Sequence, residues 1–371
     1  MTDLGVLYQY GWGVTQDYAQ ARQWFEKGAA ADEPAAMNNL GVLYQNGWGV
    51  SKDYARARQW YEKAAATGAP VAMNSLGVLY GNALGVPRDY TQARQWYEKA
   101  AAAGYAQAMQ NLGLYYQNGL GVAQDYGQAR QWYEKAAAAD NAHAMNSLGV
   151  LYEHGLGVPR NYTQARQWYE KAAVAGWPAS MNSLGLFYQN GRAVAQDYVQ
   201  ARQWYEKAAA AGNSDAMRNL GLLHEGGLGG TKDYTAARQW FEKAVAVGDV
   251  GAMTNLGFLY DMGWGVPRDG AQARQWYEKG AAAGDPIAMG NLGVLYRDGF
   301  GVAKDYTQAR QWFEKAAALG NNQAMNNLGV MYGTGMGVPK DLTQARQWYE
   351  KAAAAGNEIA KQNLQKIGRK R

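Results

Sequence analysis

Cysteine is absent from the 371-residue chain. Its absence removes disulfides and thiolate metal sites while leaving the redox compartment open. Histidine is scarce, at three residues. His224 stands where the equivalent segments carry Tyr and reads as a core substitution, His154 adjoins Glu153, and His143 falls in a turn. No zinc-ligand spacing links them, so neither a metal nor any other cofactor is expected. No apolar run is long enough to span a bilayer, and no signal peptide stands at the start as written. The signatures of serine hydrolases, β-lactam-binding enzymes and phosphate-binding loops are missing too. Gly-x-Gly-Val, as in Gly47 to Val50, follows no strand signal and so is no dinucleotide fingerprint. An excess of one charge over the bulk of the chain is also lacking. The net +5 sits in residues 361–371, where Lys361, Lys366, Arg369, Lys370 and Arg371 meet no acid; the rest balances at 31 basic and 31 acidic residues. A nucleic-acid binder needs a basic stripe, so no nucleic-acid partner is expected, and the tail reads as a solvated terminus.

What the chain does have is repetition. Ala-Arg-Gln-Trp occurs ten times, its Trp recurring from Trp24 and Trp60 to Trp348 at a constant 36 residues. A fixed period of this size marks stacked structural units, a solenoid. Stacked arrays present long surfaces rather than closed catalytic pockets.

The unit from Ala36 to Val71 shows the pattern. Ala36, Leu40, Leu43 and Tyr44 form one helical stripe, and Tyr54, Ala57, Tyr61 and Ala64 form a second. Asn46-Gly47 ends the first helix, Asp53 caps the second, and Gly68 with Pro70 closes the unit. In eight of ten units a Gln lies three residues after the cap position, as Gln20 follows Asp17, which predicts a capping box. No segment alternates with period two, so the fold class is all-α: ten helix-turn-helix repeats and a C-terminal half-repeat. Gly41 recurs mid-helix in all ten units, which predicts that another helix backbone approaches too closely for a Cβ. In the tail, Gln365 takes that Gly place and Lys361 the Met place, as befits a last helix with no successor. The expected organisation is a single array over residues 1–359 with a capping half-repeat over 360–371. Met1 falls in the frame of Met37, so the chain starts inside a first helix, and an upstream in-frame segment is expected.

The motifs Ala-Met-x-Asn-Leu-Gly-x-Leu-Tyr, Gly-x-Gly-Val, Asp-Tyr-x-x-Ala and Trp-Tyr-Glu-Lys-Ala-Ala resemble the Sel-one-like repeat (SLR) family, a branch of the tetratricopeptide-like α/α superhelices. The resemblance covers essentially the whole chain. It implies an α/α superhelical solenoid acting as a scaffold or adaptor. Family members serve protein quality control, bacterial envelope or polysaccharide machinery, or host interaction. A cysteine-rich branch linked to β-lactam binding does not carry over to a chain without Cys.

Positions that vary among repeats are the ones free to recognise. By analogy with tetratricopeptide-like folds, the first-helix positions matching Asn38, Val42 and Gln45 are placed on the concave groove. The first column reads Asn38, Asn74, Gln110, Asn146, Asn182, Arg218, Thr254, Gly290 and Asn326. The last reads Gln45, Gly81, Gln117, Glu153, Gln189, Glu225, Asp261, Arg297 and Gly333, and the middle one is apolar throughout. Amides offer both donor and acceptor, which suits an extended peptide backbone, and the charges from Glu153 to Arg297 would select side chains. The second polar column, Asn39, Asn111 and Asn219 alternating with Ser75, Ser147 and Ser183, predicts a structural hydrogen bond, with a loop carbonyl as the expected acceptor. The ten repeat Trp residues read as packing, and Trp12, Trp48, Trp264 and Phe300 as loop anchors. Trp177 reads as either an exposed contact or a local packing residue. The expected function is a non-enzymatic, monomeric scaffold that binds a protein or extended peptide, with no catalytic residue. A structural spacer in an envelope or polysaccharide assembly and a host-interaction factor are alternatives. A hydrolase using Glu153, Glu225 and Asp261 is disfavoured, because no acid–base pairing is fixed.

Overall fold

Alternating short helices follow one another along the chain, joined alternately by a Gly-containing loop and a tight turn. The computed structural model describes residues 1–368; Arg369, Lys370 and Arg371, three of the five tail charges, lie outside the described residues. There are 21 helices and no strand among the described residues, and they form a helical solenoid of ten repeats ending in one extra helix. The residues group into two compact units, Met1–Ser180 and Met181–Arg371.

In the first unit, α1 (Thr2–Tyr10) and α2 (Tyr18–Ala30) make the first repeat, and α3 (Pro34–Asn46) and α4 (Tyr54–Ala66) the second. Then come α5 (Pro70–Gly81), α6 (Tyr90–Ala102), α7 (Ala106–Asn118), α8 (Tyr126–Ala138), α9 (Ala142–His154) and α10 (Tyr162–Val174). Helix α11 (Pro178–Asn190) opens the sixth repeat. The second unit continues with α12 (Tyr198–Ala210), α13 (Ser214–Gly226), α14 (Tyr234–Ala246), α15 (Val250–Met262), α16 (Gly270–Ala282), α17 (Pro286–Asp298), α18 (Tyr306–Ala318), α19 (Asn322–Thr334), α20 (Leu342–Ala354) and α21 (Glu358–Gly368). Each odd-numbered helix is helix A of its repeat and each even-numbered one helix B. Almost all are about three and a half turns long, too short to persist alone in water. Their stability comes from packing A on B, and B on the next A.

The core is one buried layer per repeat. In the second repeat Leu40 and Leu43 of α3 meet Ala57, Tyr61 and Ala64 of α4 with at most 1% exposure. The small Ala faces let helices approach, and the aromatic side chain fills what remains. The mid-helix Gly finds its explanation here, and it differs from the expected backbone approach. A Cβ built on Gly41 would sit inside the Tyr61 ring; Gly77 meets Tyr97, Gly113 meets Tyr133, Gly221 meets Phe241 and Gly293 meets Phe313 in the same way. The glycine is a socket for the aromatic ring of its own repeat. Burying that ring is worth roughly 2–3 kcal/mol, which outweighs the cost of about 1 kcal/mol for Gly in a helix. In α21, Gln365 stands exposed in the place that glycine holds in the other A helices.

Helix ends are tied by side chain and backbone together. The Asp17 carboxylate accepts from Ala19 and Gln20 backbone N–H groups at 2.8 and 3.0 Å, and Asp53 from Arg56 at 2.9 Å. The expected capping box is replaced by a tertiary bond. The cap residue's own N–H donates to the carbonyl of helix A's aromatic, Asp17 to Tyr8 and Asp53 to Tyr44, each at 2.9 Å. The pattern recurs in every repeat, down to Asp341 on Tyr332 at 2.8 Å. It fixes how helix B leaves helix A.

The solvent side of helix B carries two further constants. Arg pairs with Glu four residues on in all ten repeats, as in Arg58–Glu62 at 3.4 Å and Arg346–Glu350 at 2.8 Å. The Lys three residues after each repeat Trp sets its Nζ 4.1–4.4 Å from the ring centroid, from Lys27 over Trp24 to Lys351 over Trp348. Each such pair contributes about 0.5–1 kcal/mol. Together they account for the invariant Glu-Lys after Trp-Tyr. No helix among the described residues is long and apolar enough to cross a membrane.

Candidate functional site

The three polar columns of helix A meet different fates. The first column is largely engaged in the joints between repeats. Asn38 and Asn74 are 9% exposed and Gln110 1%, so these are not the solvated rungs that the sequence suggested. Asn74 Oδ1 accepts from Asn111 Nδ2 of the next repeat at 2.9 Å, and Asn38 Oδ1 receives Ser75 Oγ at 3.5 Å. Asn182 and Asn326 receive Asn219 and Asn363 at 2.9 and 3.0 Å. Asn146 receives Ser180 Oγ at 2.8 Å. The second-column asparagines Asn111 and Asn219 therefore make the expected structural hydrogen bond, but to the previous repeat's amide and not to a loop carbonyl, while Ser75 and Ser147 donate at 3.0 Å to the carbonyls of Val71 and His143 in their own helices. The spacing of 37 residues puts donor and acceptor on facing helices A, one position out of phase with the repeat.

Where the first column changes residue type, the joint changes partner. Arg218 donates to Asp215 at 2.6 Å and to Asp249, the cap of α15, at 3.2 Å. Thr254 bonds Asp285, the cap of α17. Thr2 likewise bonds Glu33 at 2.6 Å.

The last column is half-buried and is organised by helix B. Tyr61, Tyr133 and Tyr205 donate their hydroxyls to the Oε1 atoms of Gln45, Gln117 and Gln189 at 2.9, 2.9 and 2.8 Å. Tyr169 donates to Glu153 at 2.7 Å. Burial pushes the Tyr61, Tyr133 and Tyr205 hydroxyls up, so they stay protonated donors. With its oxygen taken, each Gln keeps an NH2 group that no hydrogen bond among the described residues consumes. Glu225 faces the same position in a repeat whose helix B carries Phe241; desolvation raises its carboxyl pKa, against an attraction to Lys232. Asp261 is also raised by desolvation, and Arg297 is held by Asp298 at 2.7 and 2.8 Å. Val42, Val78 and Val294 of the middle column are partly buried against the core.

Aromatic candidates resolve as packing in most cases. Trp177 stacks on His143 at 4.8 Å and 14°, and desolvation holds the His143 pKa below its ordinary value. Trp48 stacks on Tyr18 of the preceding repeat at 5.6 Å, and Trp264 on Tyr234 at 4.9 Å. Trp12, 61% exposed, stacks only on Tyr10. His224 is half-buried in place of Tyr, its carbonyl still accepting the cap N–H of Asp233.

Sequence reasoning put Arg218, Thr254 and Gly290 in the groove column but did not bring them together with Ile287 and Asn327. In the second unit Gly290, Asn291, Ile287 and Asn327 line a cleft of about 430 Å³, and Arg218, Thr254, Asn255 and Ile287 line a neighbouring one of about 520 Å³. The signal was present: three successive departures from amide, Arg218, Thr254 and Gly290, in one column.

Comparison with known proteins agrees with the geometry. The Sel1 repeat profile matches ten successive segments, 1–33, 34–68, 70–105, 106–141, 142–176, 178–213, 214–249, 250–285, 286–321 and 322–357. A protective antigen of uropathogenic Escherichia coli strains with an SLR fold is similar at 35% identity and a TM-score of 0.59, over 100% of this chain and 87% of that one. A Sel1 repeat protein from Oxalobacter formigenes is similar at 35% identity and a TM-score of 0.62, over 67% of this chain and 99% of that one. A search of the curated proteins returned no match.

Proposed function

The chain belongs to the Sel1 repeat family, whose members are generally non-enzymatic protein-interaction scaffolds, and from that premise we propose that it is a monomeric, non-enzymatic scaffold that binds an extended peptide segment of a partner protein along its helix A face. The observation that carries this reading is the set of half-bonded amides. In the first unit Gln45 and Gln117 have their carbonyl oxygens bonded by buried tyrosines, which leaves each an NH2 group for a ligand, and Gln189 repeats the arrangement within the second unit. Apolar Val42, Leu114 and Leu186 lie three residues earlier, about one helical turn away. A row of donors above an apolar floor suits the carbonyls and alternating side chains of an extended chain. Asn38, Asn74, Asn146 and Asn182 support the face by holding the joints, and buried Gln110 accepts from Gln107 of its own helix. Glu153, Glu225, Asp261, Arg218 and Arg297 supply its charges. The balanced charge of residues 1–360 supports a protein partner over a nucleic acid.

The test exploits near-isosteric change. Gln45→Glu and Gln117→Glu keep an oxygen for the Tyr61 and Tyr133 hydroxyls while removing the outward donor. The double variant should keep wild-type helicity and melt within about 1 kcal/mol of the parent. Its capture of peptides from an array of unstructured hexapeptides should fall at least tenfold. Undiminished capture by a folded double variant would sink the groove.

A further inference from the structure

We propose that the cleft beside Gly290 is a recognition site for an extended peptide that carries an aliphatic side chain and, about three residues away, a basic one. This deepens the peptide-binding reading above and rests on it for the class of ligand.

In the second unit the joints at Asn182–Asn219 and Asn326–Asn363 are closed by amide–amide bonds. Between them three successive joints lack that bond, because the acceptor positions hold Arg218, Thr254 and Gly290. Arg218 and Thr254 reach the next helix cap instead. Gly290 has no side chain to reach across, so the cap of α19 holds that joint, Asn321 Nδ2 donating to the Pro286 carbonyl at 2.9 Å; Asn327, the donor that an acceptor at 290 would have met, makes no side-chain hydrogen bond among the described residues. Asn327 is only 7% exposed, and it lines the cleft. An amide left unpaired at the edge of an opening keeps both a donor and an acceptor for a ligand's backbone. Asn291 lines the same opening.

The rest of the lining defines the side chains. Ile287 and Leu319 flank the opening at 58% and 55% exposure, large aliphatics set in solvent beside the unpartnered amide. The adjoining cleft shares Ile287 and holds Asp215, Asp249 and Asp285 against the single guanidinium of Arg218. Three carboxylates facing one cation favour a basic side chain there. Neighbouring helices pack roughly 8–10 Å apart, and an extended chain advances about 3.3 Å per residue. Anchors one repeat apart thus fall about three residues apart on the ligand.

The chain supplies its own test. Gly290→Asn installs the residue that the other closed joints use, and a side chain there has room: a Cβ at Gly290 meets its nearest neighbour, Asn321 Nδ2, at 3.5 Å. The substitution should latch onto Asn327, raise the melting temperature and fill the cleft. The probe is a panel of acetylated hexapeptides holding Leu or Ile and Lys or Arg two to four residues apart in both orders, with Asp-for-Lys and Ser-for-Leu controls. The full-length wild type should bind members of the panel, lose tenfold or more with either control, and lose as much in Gly290→Asn despite that variant's greater stability. Binding that survives Gly290→Asn overturns this assignment and leaves the general peptide reading standing, since that depends on the Gln45 and Gln117 variants. Preference for the acidic controls, or no binding by any panel member, also overturns it. A concentration-dependent dimer that Gly290→Asn abolishes would give the cleft to a second copy and likewise refute it.

Discussion

At the scale of the residue, one position decides what its neighbour may be. Gln45, Gln117, Gln189 and Glu153 stand opposite tyrosines, and each accepts the phenolic hydroxyl. Glu225 and Arg297 stand in repeats whose helix B aromatic is Phe241 or Phe313, which has no hydroxyl to share. Glu225 is consequently desolvated without that donor, and its pKa is raised. A raised carboxyl binds its proton more tightly in the folded than in the unfolded chain, so folding stability falls as pH rises through the window from the ordinary carboxylate range to the raised value. Glu225→Gln should leave stability at pH 4 nearly unchanged and increase it at pH 7. Urea denaturation at the two pH values measures this, and an equal effect at both would contradict it. The pairing of Tyr with Gln, Glu or Asp in five repeats was already visible in the aligned repeats, though Tyr97 and Tyr349 face Gly81 and Gly333, and Phe25 faces Gln9. It went unread because the two positions lie 16 residues apart and touch only when helix B folds back on helix A.

At the scale of the element, the sequence announced the helices well and their contacts less well. The 36-residue period, the Asp caps and the Gly terminators placed helices A and B where they are found, since each depends on neighbours within one turn. The mid-helix glycine was correctly read as a close approach, yet its partner is a ring and not a backbone, and the first amide column proved to be joint material. Both outcomes depend on the rotation of one helix about its axis against the next, which helical periodicity leaves undetermined by about one residue. The socket makes a quantitative prediction. Gly41→Ala should gain helix propensity of about 1 kcal/mol and still destabilise the protein by about 1–2 kcal/mol, because overpacking the Tyr61 ring costs up to about 3 kcal/mol. Adding Tyr61→Leu should cost less in that background than in the parent. A double-mutant cycle in chemical denaturation reads the coupling, and strict additivity would refute the socket.

At the scale of the whole molecule, contacts within each compact unit run from a repeat to its neighbours, so each unit is a sum of similar terms. Removing residues 106–141, one matched repeat, brings Ser147 to the position that Asn111 holds against Asn74. That pairing reproduces the one between Ser75 and Asn38. The shortened chain should fold with unchanged helicity per residue, and its denaturant m-value should fall by about a tenth, in step with the surface that unfolding exposes. Loss of helicity far beyond the deleted segment would show that the joints are not interchangeable. The family and the scaffold class were legible because they follow from this additivity. The cleft at Gly290 was not, because it is defined by a bond that its repeat omits. That omission has an evolutionary reading. Copying a unit copies a latched seam, and a single codon change afterwards unlatches it, so a lineage of such genes can vary what it grips without relearning how to fold.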